Sequence, residues 1–169
     1  TPVDIAKQIQ SNTKLFKLVG LTAELARLLD EELTYKPQLP ACLVMFSGSH
    51  MSENLALTGI YGTEDIEIDI FIVLDNTTDF TGSTGMQMNR TSCVQDIRSC
   101  ILGWIPNDRM TTPIAELGTE FVTMSASRII YKMSYSIEQQ ITPADGYQQP
   151  TENLQEIDMT FKYKNADIE

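Results

Sequence analysis

The sequence predicts an α+β fold: a single domain in which a mainly antiparallel or mixed β-sheet carries helices packed on one face. Three observations predict it. Apolar residues recur at helical 3–4 spacing near the N-terminus and again around residues 90–104. Elsewhere the period is two, most clearly at 64–75 and 128–141. The resulting order of helix, helix, strands, helix, strands does not alternate as βαβ units do, so the two kinds of element segregate into layers.

Residues 1–36 read as N-terminal helices. Val3, Ile5, Ala6 and Ile9 give a short amphipathic one, and Leu21, Leu25, Leu28 and Leu29 a better one. Pro37 and Pro40 stop helix and force extended backbone. Ala41–Phe46 is an apolar run of strand length, Ser47-Gly48-Ser49-His50 a turn, and Leu55–Tyr61 a further strand. In Glu64–Asp75, Ile66, Ile68, Ile70, Ile72 and Leu74 alternate with Glu67, Asp69, Phe71 and Val73. The first half of that strand has a polar face, whereas the second half is apolar on both, as in a strand running from solvent into a covered region.

Residues 76–89 form a long polar connection with Gly82 and Gly85, and loops of that length in compact domains are usually functional or mobile. The segment Asp79, Phe80, Thr81, Gly82, Ser83, Thr84 and Gly85 is the candidate interface loop, an arm able to reach a neighbour. A helix is expected from about Arg90 to Leu102, with Cys93, Val94, Ile97, Cys100, Ile101 and Trp104 inward and Gln95, Asp96 and Ser99 outward. Gly103 and Pro106 end it. Ile114–Met124 holds one short strand. Arg128–Ile141 is a long one, with Ile129, Tyr131, Met133, Tyr135 and Ile137 on one face and Lys132, Ser134, Ser136 and Glu138 on the other. Residues 143–169 read as a C-terminal extension with a strand at Leu154–Lys164.

At 169 residues and 42% hydrophobic content, the chain can build one core. Its net charge is −11, unevenly spread: residues 41–89 hold seven acids and no base. Nucleic-acid affinity comes largely from phosphate neutralisation, so specific binding to DNA or RNA is not expected. No apolar window approaches the roughly 18 residues a bilayer span needs, so no membrane contact is expected. Thr1-Pro2-Val3-Asp4 lacks the charged and apolar regions of a secretory signal, which points to the cytoplasm.

Catalytic templates fail on inventory, so the chain is expected not to be an enzyme and to need no cofactor. His50 is the only histidine, in a turn-like context unlike a nucleophile elbow. Three scattered cysteines neither suit a complete disulfide framework nor, with one histidine, supply a zinc site; they read as buried, inert thiols. Glu67 and Asp69 share a strand face, where a solvated surface explains them more simply than a cation site. Gly82-Ser83-Thr84-Gly85 lacks the Gly-Lys-Ser/Thr of a phosphate loop.

One constellation carries a positive signal. Val94-x-x-Ile97-Arg98-x-x-Ile101-Leu102-Gly103-Trp104-Ile105-Pro106, then Glu116-Leu117, then Tyr131-x-x-x-Tyr135-x-Ile137, resembles the central signature of phage tail terminator and tail completion proteins, the minor-tail-protein-U-like group. Upstream, Leu33-x-Tyr35-Lys36-Pro37-x-Leu39-Pro40-Ala41-Cys42-Leu43-Val44 resembles the approach to that family's first strand, and Ile66–Leu74 would be its central strand. The resemblance spans roughly residues 30–140, and the segment after Thr142 is where members of that family differ most. It implies a homo-oligomeric ring, usually a hexamer, in the virion's tail-neck region. Such a ring caps the tail tube protein, meets the head-tail connector and, in contractile tails, the sheath protein; it assembles in the host cytoplasm. The family has no catalytic residues to carry over. Genome DNA passes through such a ring, and Glu64, Asp65, Glu67 and Asp69 are the candidate acidic face that repels it, against the plainer reading of an outer solvated surface. Three other readings compete: another neck subunit of the head-completion or connector type, a cellular adaptor domain, and a metal- or nucleotide-dependent enzyme.

Overall fold

In a computed structural model, which describes residues 1–23, 38–53, 59–76, 85–125 and 127–148, one mixed sheet organises the chain. Helix α1 (Pro2–Asn12) leads into a short strand β1 (Leu18–Leu21). Strands β2 (Ala41–Met51) and β3 (Gly62–Asp75) follow, then helix α2 (Gly85–Ile101), strands β4 (Ala115–Met124) and β5 (Arg128–Ile141), and a 3-10 turn, Pro143–Asp145. The sheet order is β1-β2-β3-β5-β4. β1 runs parallel to β2, and every other pair is antiparallel. This is the α+β architecture expected from the period changes.

The central pair, β3 and β5, stays in one register from Gly62 opposite Ile141 to Asp75 opposite Arg128. Side chains alternate across a pleated strand, so this ladder sorts residues onto two faces. Ile66, Ile68, Ile70, Ile72 and Leu74 meet Tyr131, Met133, Tyr135 and Ile137 on one of them. Ile5 and Ile9 of α1 and Val94, Ile97 and Ile101 of α2 cover the same face, so both helices lie on one side. A smaller cluster on the opposite face joins Ala41, Leu43, Phe71, Val73 and Ile130. The double apolar character of the second half of β3 therefore reflects two cores. Cys42, Cys93 and Cys100 are buried, unpaired thiols; burial pushes that of Cys93 up to about 11.

Several local expectations are corrected. Ser47–His50 is not a turn: β2 continues through it to Met51, with a bulge between Phe46 and Gly48 absorbing the change in pattern. His50 is thus an exposed strand residue. Gly59–Tyr61 is not strand, and the rest of the expected Leu55–Tyr61 strand lies outside the described residues. Leu21, expected in a helix, ends β1, although Thr22 and Ala23 are helical. The remainder of the second N-terminal helix and the Leu154–Lys164 strand lie outside the described residues. Helix α2 begins at Gly85, five residues before Arg90. Ile114–Met124 yields a ten-residue strand where a short one was expected.

Asp96 gives the clearest correction. Helical spacing places it outward, yet it is buried. Its carboxylate accepts the Thr13 hydroxyl at 2.5 Å and the Lys14 N–H at 3.2 Å. Thr13 Oγ1 in turn accepts the Phe16 N–H at 3.0 Å, so one carboxylate of α2 organises the turn that carries α1 into β1. Replacing Asp96 with Ala leaves the Lys14 N–H without its acceptor and should cost about 2–3 kcal/mol, the worth of hydrogen bonds to a charged group. Urea denaturation would measure this; a loss below about 1 kcal/mol would mean the turn holds its shape without the carboxylate.

Candidate functional site

The site of interest is the outer edge of the sheet, which has no further strand beside it among the described residues. β4 is bonded to β5 on one side and is the last strand in the sheet order. Such an edge presents unpaired backbone N–H and C=O groups to any extended partner. Most of its side chains are exposed, and four are large and apolar: Leu117 (59%), Phe121 (57%), Val122 (41%) and Met124 (59%). Soluble monomers seldom gather such residues on one short element.

Two bulges set two of these four residues outside the regular pairing, whereas Phe121 and Met124 stand opposite Tyr131 and Ile129. The β4–β5 register shifts between Glu116 and Gly118 and between Phe121 and Thr123, leaving Leu117 and Val122 as the extra residues. Each bulge breaks the period of two. That is why Glu116–Met124 gives no clean alternation in the sequence, and why this surface escaped sequence reasoning.

On the helix side, β4 is tied to α2 by a two-pronged ion pair. Arg98 Nε donates to Glu116 Oε2 at 2.7 Å and Nη2 to Oε1 at 2.8 Å, the fork-to-carboxylate geometry that only arginine offers. The Arg98 guanidinium holds the Glu116 carboxyl below its usual range, against an opposing push from burial. Arg98 thus has a structural role that the family-like pattern did not disclose. Beside the pair, Arg90, Val94, Gln95 and Thr119 complete a groove of ≈ 320 Å³. Arg90 lies over the Tyr131 ring at 5.0 Å, and Phe121 meets the same ring edge-on with centroids 5.9 Å apart.

On the opposite face, Lys132 sits 2.7 Å from Glu120 and 3.6 Å from Asp69, and Ser134 donates to Asp69 at 2.6 Å. The Glu120 carboxylate, ahead of Asp69, raises the affinity of Lys132 for its proton. Asp69 is therefore buried and held by Ser134 and Lys132, contrary to its expected place on a solvated surface. The four acids expected to form one face do not. Glu64 lies on the helix side and accepts from Gln139 at 2.9 Å. Asp65 and Glu67 remain exposed on the other side, with His50 opposite Asp65 on β2 and Glu138 opposite it on β5. Of the candidate interface loop, Asp79, Phe80, Thr81, Gly82, Ser83 and Thr84 lie outside the described residues, while Gly85 opens α2 and is no loop residue.

No helix among the described residues is long and apolar enough to cross a membrane. No group of three or more His, Cys, Asp or Glu among them is placed to hold a metal ion. No protein-family model matches the chain, and no curated protein matches it.

The Arg98–Glu116 pair makes the α2–β4 junction pH-sensitive. A carboxyl held low in the folded state stabilises it above the ordinary carboxyl value of 4.5 and loses that contribution as pH falls through and below it. Glu116→Gln should therefore lower stability at neutral pH and flatten the loss of stability on acidification from about pH 5 to about pH 3. Urea midpoints across that range check it, and parallel pH profiles for the two proteins would remove Glu116 from the acid transition.

Proposed function

We propose that this chain is a structural subunit that assembles with copies of itself into a ring, of the kind that caps a phage tail tube, stops its polymerisation and joins it to the head connector. The observation that carries the proposal is the β4 edge: a ten-residue strand with no second strand beside it among the described residues, and with Leu117, Phe121, Val122 and Met124 exposed along it. The other sheet edge is the four-residue strand β1, so the two edges are unlike. A contact from β4 to a different surface of the next copy is head-to-tail, the kind of contact that closes rings when its rotation permits. A partner surface covering β4 would remove exposed apolar area from water and satisfy the free backbone groups at once.

The acidity fits this reading. A ring through which genomic DNA passes works best with little affinity for phosphate, and a chain of net charge −11 provides little. The tail-neck assignment itself rests on the resemblance of the α2–β5 signature, and the edge strand supports the broader claim of self-assembly.

Phe121→Lys and Met124→Lys alter exposed side chains and should leave the melting temperature within a few degrees while reducing the assembled fraction at least about tenfold, because charge opposes burial at a contact. Size-exclusion chromatography with light scattering reads the mass. Wild-type protein that stays a monomer at every concentration would overturn the ring. Tail tubes assembled with the tube protein of the same genome should stop at a defined length when this chain is added, and unchanged tube length would overturn the capping role.

A further inference from the structure

Arginine 90 is an anomaly in the folded monomer. Its Nε is a buried nitrogen without a hydrogen-bond partner. The guanidinium is nevertheless held in place, stacked over Tyr131, whose ring is braced from its edge by the exposed Phe121 of β4. Leaving a buried donor unsatisfied costs stability, whereas an apolar group of similar shape would not. The neighbouring cation, Arg98, is already committed to Glu116. The side chain as a whole is half-buried and lines the α2–β4 groove, so a carboxylate entering there would meet a fixed, partly desolvated guanidinium beside the apolar edge.

The complementary feature lies elsewhere on the same chain. Asp65 and Glu67 are exposed on β3, and no ion pair to either occurs among the described residues. Asp65 stands directly across the ladder from Glu138, and like charges facing one another on a sheet repel. They belong to the stretch 41–89, which carries seven acids and no base. One part of the molecule thus lacks an acceptor and another lacks a cation, on different faces of the sheet. A single copy cannot join them, and a head-to-tail neighbour can.

We infer that the Arg90 groove receives a carboxylate of Asp65 or Glu67 from the next copy of this chain, and that this ion pair sets the direction in which copies join. The inference rests on the proposed ring and names the contact that orients it. Arginine beside aromatic rings is the composition of interface hot spots, and electrostatic complementarity fixes register more than it adds area.

The decisive experiment is a charge-swap cycle on the full chain, read by sedimentation equilibrium. Arg90→Met keeps an apolar stem over Tyr131 and should leave the melting temperature equal or higher, while weakening self-association at least about 30-fold, the ratio that corresponds to a hot spot. Arg90→Glu should abolish assembly, and Arg90→Glu mixed with an Asp65→Lys, Glu67→Lys variant should restore contacts between unlike copies. Self-association should also fall as salt rises from about 0.05 to about 0.5 M. If Phe121→Lys breaks the assembly but Arg90→Glu does not, the inference fails and the ring stands. The same split holds if Arg90→Glu spares self-association but blocks binding to tube protein, since the occupant would then be a different chain. A wild-type monomer overturns both.

Discussion

The unbroken ladder between β3 and β5 is the constraint on which the rest depends. One slipped residue would send Ile66, Ile68, Ile70 and Ile72 to the face now held by Asp65, Glu67, Phe71 and Val73. The buried isoleucines make that slip prohibitive, so the central pair has no tolerance for irregularity. The bulges accordingly fall on the outer pairs, β2–β3 and β4–β5. The sheet is thus regular at its middle and adaptable toward the edge that the proposed contact uses.

Asp96 plays a comparable role between layers. Both helices cover the same face of the sheet, but burial alone leaves them free to slide. A carboxylate on α2 that captures Thr13 and Lys14, with Gln8 donating to the Cys100 carbonyl at 3.3 Å, sets where the end of α1 sits. Burying a carboxylate is costly, and here two donors, the Thr13 hydroxyl and the Lys14 N–H shared between both oxygens, offset it. The position of β1, and with it the far edge of the sheet, follows from that clasp.

Much of the architecture was legible from residue spacing. The long strand Arg128–Ile141 matches its expected limits, and the inward stripe of α2 from Cys93 to Ile101 is buried as read. What escaped was whatever broke a period. The bulge near Gly48 looked like a turn, and two bulges hid the full length of the ten-residue strand Ala115–Met124. Asp96 was misplaced because periodicity reports the average polarity of a face, and a single buried carboxylate with its own donors is invisible to it. The acidic face was misjudged for a related reason: alternation separates Glu64 from Asp65, Glu67 and Asp69, and the cross-strand partner Ser134 together with the diagonal Lys132 distinguishes Asp69 from its exposed neighbours. The site at the β4 edge depends on exposure, which no spacing rule records.

The same irregularities govern how the molecule behaves in a crowd. A flat, apolar edge invites indefinite stacking of strands, the geometry of a fibril. The bulges at Leu117 and Val122 increase local twist and put backbone groups out of step, so identical β4 edges cannot zip together in register. A partner strand or loop that pairs with this edge would have to match both kinks.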